Sequence, residues 1–370
     1  MLLRRWTLAT GTPHALATLT GFKLLPHRTL SSSPTQPEGP SKPFALEPLR
    51  DRSFVRVHGT DSVSFLQGLM TNDMRHFEHS RSLYAMFLRV NGRVFCDALI
   101  FRHPAAPAPA TDFLLECDRE VAPRLEKHLK LYRLRKKVTV LAEETYQPWV
   151  AFVPDSDEQR VVTLDGDITT GDRPDEDRVN LYKDPRLPRL GYRALIRDDT
   201  QAASMDRLLE LVPGVIATDP QYTPFRYSLG VGEGETNLPD GKCFPLECNC
   251  DFLHGVSFHK GCYIGQELTA RTYHTGVIRK RLMPVQFTDG LQALEGIPPE
   301  VLREAEIKNE DGAVVGKLRG YIAGHGMALL RVEKVLTGTT LALTVPGIPA
   351  TIPCRTKKPF WWPNELNARS

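Results

Sequence analysis

The stretch KGCYIGQE at residues 260–267 governs the interpretation of this 370-residue chain. It places the thiol of Cys262 between two glycines, with Lys260 two residues before it and Glu267 five residues after it. Glycine lets a backbone turn tightly or approach a ligand closely. A neighbouring cation favours the thiolate, which is the form of cysteine that attacks electrophiles and binds metals. The pattern therefore predicts a reactive thiol, reachable at the surface, on a shaped loop.

Two other interpretations of this thiol stay open. Free cysteines usually pack in the core as small hydrophobic residues, although a packing cysteine needs neither the lysine nor the glycines beside it. Cys243, Cys248 and Cys250 precede Cys262 closely enough for a resident metal cluster, but the spacing C-x4-C-x-C-x11-C matches neither zinc nor ferredoxin motifs. We favour one or two of these thiols joining a cluster shared with a partner protein.

The N-terminus differs in composition from the rest of the chain. Its first 37 residues contain Arg4, Arg5, Lys23 and Arg28, many hydroxyl side chains, and no Asp or Glu. This composition is typical of a mitochondrial transit peptide, and a disordered tail without a targeting role is the alternative. Prolines at 34, 37, 40 and 43 predict an extended linker. We therefore expect residues 1–43 to be transit peptide and linker.

The basic charge of the chain belongs to this leader. Residues 1–43 carry a net charge of +4 and the whole chain +3, so the remainder has a net charge of −1 and gives no support for nucleic-acid binding. No stretch approaches the roughly 18 apolar residues that span a bilayer, and we expect no membrane partner. Seven unevenly spaced cysteines are a poor disulfide framework and favour a reducing compartment such as the mitochondrial matrix.

Strand and helix patterns alternate through residues 44–280, which we predict to be one α+β region. Asn91-Gly92 is a strong hairpin signal between two strand-like runs. Asp61 is placed to cap a first helix whose apolar face is Val63, Leu66, Leu69 and Met70. The periodicity predicts strands over 52–57, 82–88, 93–101, 113–117, 136–141, 161–164 and 192–196, and further helices over 121–132 and 200–212.

The composition changes after residue 280. Short strands over 283–287, 313–318, 326–332 and 341–345 are separated by glycine turns, a pattern typical of a small β-barrel or sandwich. We predict that residues 281–358 form this C-terminal barrel and that 359–370 are a tail. The fold class is therefore α+β with a terminal β domain.

Two further features carry chemistry. Glu247, in Pro245-Leu246-Glu247, could accept two parallel hydrogen bonds from the N–H edge of a heterocycle such as a pterin, or it could be an ordinary loop glutamate. The basic run 127–137 is interpreted as a solvated helix face followed by an exposed strand. His254 and His259 are the candidate general bases if the chain is instead a thiol enzyme, although it contains no CxxC motif.

These residues together resemble the YgfZ-type folate-binding proteins, which are relatives of the glycine-cleavage aminomethyltransferase. The resemblance rests on Pro245-Leu246-Glu247, KGCYIGQE and Arg271. It is extended by weaker N-terminal matches at Gly59-Thr60-Asp61, Phe65-Leu66-Gln67-Gly68, Thr71-Asn72-Asp73, Tyr84 and Asn91-Gly92-Arg93-Val94. It covers roughly residues 44–350.

The resemblance implies an aminomethyltransferase-like pseudo-ring of α+β subdomains around a central channel, with a C-terminal β-barrel. It implies tetrahydrofolate binding in that channel, with Glu247, Asp97, Lys260 and Arg271 as the cofactor-binding residues. It also implies maturation of [4Fe-4S] proteins in the mitochondrial matrix, beside A-type scaffold proteins. Expected clients are aconitase-like enzymes and radical enzymes such as lipoate synthase. Cys262 is then the ligand of a transient [2Fe-2S] cluster shared with the partner.

One departure separates the chain from the aminomethyltransferases. Where they have two adjacent acids after the first hairpin, this chain has Cys96-Asp97-Ala98-Leu99, with a single acid. We therefore favour an assembly factor over an enzyme. The alternative is a folate-dependent, aminomethyl-type one-carbon transferase with Asp97 as its catalytic residue.

Overall fold

The structure is a computed structural model. It describes residues 44–104, 111–154, 168–169, 179–198, 201–212, 214–216, 221–294, 296–337, 340–349 and 351–364. The expected transit peptide and linker, the expected strand over 161–164 and the end of the expected tail lie outside the described residues.

The described segments form strands and short helices in alternation. The strands are β1 (Phe44–Pro48), β2 (Arg52–His58), β3 (Ser82–Leu88), β4 (Val94–Arg102), β5 (Asp112–Asp118), β6 (Thr139–Glu143), β7 (Tyr146–Phe152), β8 (Ile168–Thr169), β9 (Asn180–Lys183), β10 (Tyr192–Arg197), β11 (Gly214–Ile216), β12 (Lys280–Phe287), β13 (Glu306–Lys308), β14 (Val314–Ile322), β15 (His325–Arg331), β16 (Leu341–Thr344) and β17 (Thr351–Thr356). The α-helices are α1 (Ser62–Gln67), α2 (Ala122–Tyr132), α3 (Gln201–Leu211), α4 (Tyr222–Ser228), α5 (Gly234–Asn237), α6 (Gln266–Thr275), α7 (Pro299–Arg303) and α8 (Val332–Val335).

Two open sheets build the α+β region. The first has the order β11-β1-β7-β10-β9-β8, and the second has the order β3-β4-β5-β2-β6. Strand β3 is buried along its whole length, and Leu125 and Leu129 of α2 are buried in the same core as one face of the second sheet. The β3–β4 hairpin is part of this second sheet and is formed by antiparallel pairing of Ser82–Leu88 with residues 94–101. The second sheet is thus its rigid support.

The last six strands close into a barrel in the order β12-β15-β14-β13-β16-β17. Its interior is a separate apolar cluster that includes Met283, Val285, Leu318, Leu330 and Cys354. Closure leaves no free strand edge in the sheet, so the barrel presents no open edge for pairing with another strand.

The prediction of an α+β region followed by a β-barrel is confirmed. Several strands were not predicted, among them β1, which follows the proline-rich linker, and β7 and β9. Helix α1 ends sooner than the apolar spacing suggests, and Val63 on its expected buried face is exposed. Asp61 does not cap α1 through its side chain, since its carboxylate accepts a hydrogen bond from the backbone N–H of Lys137 at 2.8 Å.

None of the helices in the described segments has the length and apolar character that a membrane-spanning helix requires.

Candidate functional site

The KGCYIGQE stretch forms a loop that leads into α6 and lies against the tip of the β3–β4 hairpin. Gly265, which immediately precedes α6, has a φ of 77°. A Cβ atom on Gly265 would lie 2.5 Å from the carbonyl oxygen of Arg89, and one on Gly92 would lie 3.1 Å from the carbonyl oxygen of Gly265. The two glycines therefore allow an approach of loop and hairpin that side chains would prevent.

Lys260 anchors this loop to α1 and the segment that follows it. Its ammonium group donates hydrogen bonds to the backbone carbonyl oxygens of Gln67 at 2.7 Å, Met70 at 2.8 Å and Asn72 at 2.6 Å. These use all three donors of a lysine. Burial lowers the pKa of Lys260 to about 8. The cofactor contact predicted for Lys260 would have to displace one of these hydrogen bonds.

Asp73 fixes the segment to which Lys260 is bound. One oxygen of its carboxylate lies 2.7 Å from Nη2 of Arg75, and the other accepts hydrogen bonds from the backbone N–H of Arg75 and from Nε2 of Gln67. The hydrogen bond from the side chain of Arg75 is the main reason that the pKa of Asp73 falls to about 2. The carbonyl oxygens that accept from Lys260 are thus held on a rigid turn.

Cys262 is exposed, whereas all six other cysteines of the chain are buried. It follows Gly261, at which an added Cβ atom would meet nothing within 4 Å, so the space beside the thiol is open. The next residues turn back into the protein, where the backbone N–H of Ile264 donates to the carbonyl oxygen of Gly68 at 3.1 Å. The loop therefore presents one thiol to solvent from a well-anchored backbone.

The three preceding cysteines do not join Cys262. Cys243, Cys248 and Cys250 lie in a hydrophobic core, and an interaction of Cys248 with Cys243, together with burial, raises the pKa of Cys248 well above its usual value. Burial likewise raises the pKa of Cys250. Among the described residues, no group of three or more His, Cys, Asp or Glu side chains is placed to hold a metal ion. The structure therefore gives no support to a resident four-cysteine cluster.

The two candidate general bases are both exposed on the loop before Cys262. His254 has a positive φ, and its carbonyl oxygen accepts a hydrogen bond from Nδ2 of Asn72. No hydrogen bond from the imidazole of His254 or His259 to Cys262 is present in the described part of the chain. A thiol–imidazole pair, which a thiol hydrolase would need, is not assembled by this geometry.

A buried cluster of charged side chains lies between the two open sheets. Arg193 of β10 and Arg186 each place a guanidinium nitrogen 2.6 Å from Oε2 of Glu233, and Nε of Arg52 on β2 lies 3.1 Å from Oε1 of Glu116 on β5. These side chains are almost completely buried. Buried charges require such pairing, because an unpaired ion in this environment would lose its hydration without compensation.

Asp97 belongs to this buried cluster. One carboxylate oxygen accepts a hydrogen bond from the backbone N–H of Gly234 at 3.0 Å. The other oxygen has no hydrogen-bond partner in the described residues. Burial raises the pKa of Asp97 despite the opposing charge of Arg52. The strand therefore presents a single acid inside a dense ionic network, without the second acid that was expected of a transferase.

Tyr84 connects the ionic cluster with the loop that carries the thiol. Its ring packs so closely against Gly255 that a Cβ atom there would lie 2.7 Å from the ring and 2.8 Å from Sγ of Cys250. The hydroxyl group of Tyr84, Nη1 of Arg52 and Oε2 of Glu116 have no hydrogen-bond partner among the described residues. Buried polar atoms of this kind are usually satisfied by water or a ligand.

Glu247 and Arg271 occupy different surroundings from Asp97. Glu247 lies half-buried in a turn, and its carboxylate accepts a single hydrogen bond within the described residues, from the backbone N–H of Phe244 at 3.3 Å. Its own carbonyl oxygen accepts from the backbone N–H of Leu282 of β12, which ties the turn to the barrel. Arg271 is exposed on α6. No hydrogen bond or ion pair in the described residues joins any two of Glu247, Asp97, Lys260 and Arg271.

The ionic cluster is the part of the site that sequence reasoning did not find. The sequence nevertheless indicates it, because single charged residues lie inside otherwise apolar predicted strands. Glu116 lies in the strand predicted over 113–117, and Arg193 lies in the strand predicted over 192–196. A charge in a strand interior requires a buried partner. The partners come from distant segments, and only the folded chain shows which ones they are.

Curated proteins with known roles match most of the chain. It is 40% identical over 324 residues to the human protein "Iron-sulfur cluster assembly factor IBA57, mitochondrial", with 85% of this chain and 84% of that protein covered. It is 38% identical over 333 residues to the mouse protein of the same name, with the same coverage. A family model described as the C-terminal β-barrel domain of CAF17 matches residues 279–364.

Among solved structures, the chain is similar to the glycine cleavage system aminomethyltransferase T from Bartonella henselae. The TM-score is 0.64 at 13% sequence identity, and 87% of each chain is covered. Identity this low establishes a likeness of fold alone. It confirms the aminomethyltransferase-like fold that the sequence predicted; the ring-shaped arrangement around a channel stays a prediction.

Proposed function

Because the chain belongs to the family of mitochondrial iron–sulfur cluster assembly factors named IBA57, we propose that it assembles iron–sulfur clusters in mitochondria with Cys262 as a cluster ligand. The observation that carries this proposal is the exposure of Cys262 beside six buried cysteines. The cluster is the cargo of the reaction. An assembly factor must receive it and release it, and an exposed thiol is suited to both steps.

The ligand count requires a second protein. Iron in a [2Fe-2S] or [4Fe-4S] cluster is held by cysteine-type ligands, four for each cluster. The other thiols near Cys262 are buried, and the described residues contain no further metal-binding group. The remaining ligands must therefore come from a partner. Shared ligation also explains release, because separation of the two proteins removes ligands from the cluster.

We infer that the partner is an A-type scaffold protein and that the products are [4Fe-4S] proteins of the matrix. Aconitase-like enzymes and radical enzymes such as lipoate synthase are the clients that we expect. Support for this comes from the family membership and from the likeness of KGCYIGQE to the motif of the folate-binding relatives. On this model, two [2Fe-2S]²⁺ units are joined on the complex with two electrons from an external one-electron donor, which reduces two of the four Fe(III) ions and gives one [4Fe-4S]²⁺ cluster.

The test is reconstitution of a cluster under anaerobic conditions. Purified protein is mixed with an A-type scaffold, iron and sulfide, and the visible absorbance of the cluster and its transfer to apo-aconitase are followed. We expect Cys262→Ser to abolish the absorbance that depends on the complex and to prevent transfer. The Cys354→Ala variant, in which a thiol of the barrel interior is removed, should behave as the wild type.

If Cys262→Ser supports the same absorbance and the same transfer as the wild type, the ligand role of the thiol is wrong. The fold of each variant is checked by circular dichroism, so that loss of structure is separated from loss of a ligand. Because Cys262 is exposed, its replacement should leave the thermal midpoint of unfolding unchanged.

We further propose that tetrahydrofolate binds near Glu247 and the buried cluster. The residues fit this ligand in two ways. Glu247 has spare acceptor capacity for the N–H edge of a pterin, and polar atoms of Tyr84, Asp97 and Glu116 have no partner in the described residues. When bound, the folate would supply a one-carbon carrier. The protein residues would orient it, and the hydrogen bond from Leu282 to the carbonyl oxygen of Glu247 would hold the backbone that carries this carboxylate.

Isothermal titration with tetrahydrofolate tests this second proposal. We expect Glu247→Ala to weaken binding by about tenfold, because one paired, charge-assisted hydrogen bond would be lost. Unchanged affinity would remove Glu247 from the site. A transferase role is not favoured, since Asp97 is a single acid where the aminomethyltransferases have two, and the likeness to the aminomethyltransferase concerns the fold alone.

A further inference from the structure

The end of α2 and the turn after it carry exposed leucines among cations. We call residues 127–137 the basic turn. Leu131 is 70% exposed and Leu134 is 83% exposed, which places them among the most exposed large apolar side chains in the described residues. Single exposed leucines are common on soluble proteins. Two of them within one short stretch that also carries six exposed cations form a surface that needs an explanation.

The backbone holds this turn in a defined shape. Leu134 has a φ of 47°, in the left-handed region that few residues other than glycine adopt. The backbone N–H of Lys136 donates to the carbonyl oxygen of Arg133 at 2.9 Å and closes the turn around Leu134. Leu125 and Leu129 bury the other face of α2 in the core of the second sheet. The exposed leucines are thus presented by a rigid element.

All the ionised side chains of the basic turn itself are cationic, and the carboxylate of Asp61 lies against the turn, where it accepts a hydrogen bond from the backbone N–H of Lys137. Six cations are exposed here, namely Lys127, Lys130, Arg133, Arg135, Lys136 and Lys137. Glu126 is the single acid between residues 121 and 142, and it is bound to Lys130. Lys136 donates to the hydroxyl of Ser64. In the part of the chain that the structure describes, Lys127, Arg133 and Arg135 have no ion-pair partner.

We propose that the basic turn docks on the surface of an anionic lipid bilayer, with Leu131 and Leu134 entering the headgroup region. Cations around an apolar tip are the combination that such a surface selects, because the lipid phosphates attract the charges and the acyl region accepts the leucines. A nucleic acid would match the charge but not the aliphatic tip. Single strands are bound by exposed aromatic rings, and Tyr132 is half-buried with its ring 4.9 Å from that of His128.

This proposal differs from the expectation, drawn from the sequence, that the protein has no membrane partner. That expectation rested on the absence of an apolar stretch long enough to span a bilayer. A protein can lie on a bilayer without spanning it, and the exposure of Leu131 and Leu134 was not visible from their sequence.

The experiment is sedimentation of the full chain with vesicles. One set is phosphatidylcholine alone, and the other contains about 30 mol% phosphatidylglycerol as the anionic lipid. We expect binding to the anionic set and weaker binding as salt is raised, because screening reduces the attraction of the cations. All variants keep residues 1–43, so any attraction of the basic leader is common to them.

Two double variants separate the leucines from the charges. Leu131→Ser with Leu134→Ser leaves the charge unchanged and should weaken binding by about tenfold or more, because apolar burial is lost. Arg133→Gln with Arg135→Gln should weaken it about 30-fold, since each cation near an anionic surface contributes roughly 1 kcal/mol. The controls are Val314→Ser, at an exposed apolar residue of the barrel, and Lys242→Gln with Arg331→Gln, which makes the same charge change elsewhere.

Three results would overturn the proposal. The first is a wild type that does not sediment with the anionic vesicles, and the second is a control variant that weakens binding as much as the matching variant of the basic turn. The third is binding that depends on the arginines and not on the leucines. In that case the turn is a general site for polyanions, and retention of the protein by a single-stranded DNA oligonucleotide would identify nucleic acid as its ligand.

Discussion

Lys260 and Cys262 are two residues apart but have opposite surroundings. The ammonium group of Lys260 is turned inward onto three carbonyl oxygens, while the thiol of Cys262 faces solvent. Two side chains at this spacing in an extended loop would share one face, and the observed loop does not place them so. Lys260 holds the loop in place. The reactivity of Cys262 therefore depends on whether a partner protein can reach its thiol.

Asp73 allows a test of this anchoring by pH. Its carboxylate has a pKa of about 2, below its usual value, because of Arg75. A carboxylate whose pKa is lower in the folded than in the unfolded protein stabilises the fold at pH values above the unfolded-state pKa. That contribution is lost as the pH falls toward the folded-state pKa. Between about pH 6 and pH 2.5, we expect the free energy of unfolding of the wild type to fall by roughly 1.5 kcal/mol more than that of Asp73→Asn.

The measurement is urea unfolding of both proteins across that range. The contribution of the other carboxylates is common to the two proteins, so the difference between them isolates Asp73. Parallel pH profiles would show that Asp73 does not stabilise the turn beneath Lys260.

At the scale of the element, the loop and the hairpin depend on each other. Gly265 packs against the carbonyl oxygen of Arg89, and Gly92 packs against the carbonyl oxygen of Gly265. A hairpin with Asn91-Gly92 at its tip was predicted from sequence, and so was the functional loop. Their contact was not predicted, because the hairpin and the loop are far apart in the sequence and local propensity does not act across such a separation.

Gly265→Ala tests this contact, with Gly261→Ala as the matched control. The added methyl group at 265 would meet backbone at 2.5 Å and require a left-handed φ, so we expect a loss of about 1–3 kcal/mol of stability and displacement of the loop. At Gly261 the methyl group enters open space. That variant should lie within about 0.5 kcal/mol of the wild type.

Both variants are compared by thermal unfolding and by cluster transfer to apo-aconitase. We expect Gly265→Ala to reduce transfer although Cys262 is intact. If the two alanine variants had the same thermal stability and the same cluster transfer, the close packing of loop and hairpin would not contribute to the stability of the fold.

At the scale of the whole molecule, the buried ionic cluster joins segments that are far apart in sequence. Glu233, in the loop before α5, pairs with Arg186 and Arg193, and Arg52 pairs with Glu116. Nε of Arg193 in the first sheet also lies 3.6 Å from Oε1 of Glu116 in the second. The cluster therefore ties both open sheets and the loop at 233 into one body. Such a network favours one arrangement of the sheets, because any other leaves a charge without its partner.

Glu233→Gln is expected to destabilise the protein by about 2–4 kcal/mol, since Arg186 and Arg193 would each lose a buried ion pair and keep only Asp184 and Glu116, respectively, as counter-ions. The control is Arg124→Gln, which removes ion pairs with Glu235 and Asp240 at a side chain that is 45% exposed. An exposed pair of this kind contributes about 1 kcal/mol or less. Urea unfolding at neutral pH measures both, and a loss at Glu233 no larger than that at Arg124 would contradict the role of the cluster.

Much of the fold was accessible from sequence, and so was the thiol. The Asn91-Gly92 hairpin, α2, α3 and the barrel strands β12, β14, β15 and β16 follow from local periodicity and turn chemistry, which act over a few residues. The motif around Cys262 identified the family. Strands β1, β7 and β9 were missed, because their pairing partners and not their own composition make them strands.

The sequence by itself determined the elements, the family and the one thiol with the surroundings of a ligand, since these depend on residue type and short spacing. Only the tertiary structure decided that Lys260 faces inward, that Cys243, Cys248 and Cys250 are buried apart from Cys262, and that the charges of the strands meet in one cluster. The physical reason is that burial and the pairing of charges are set by contacts between distant segments, which no local pattern encodes.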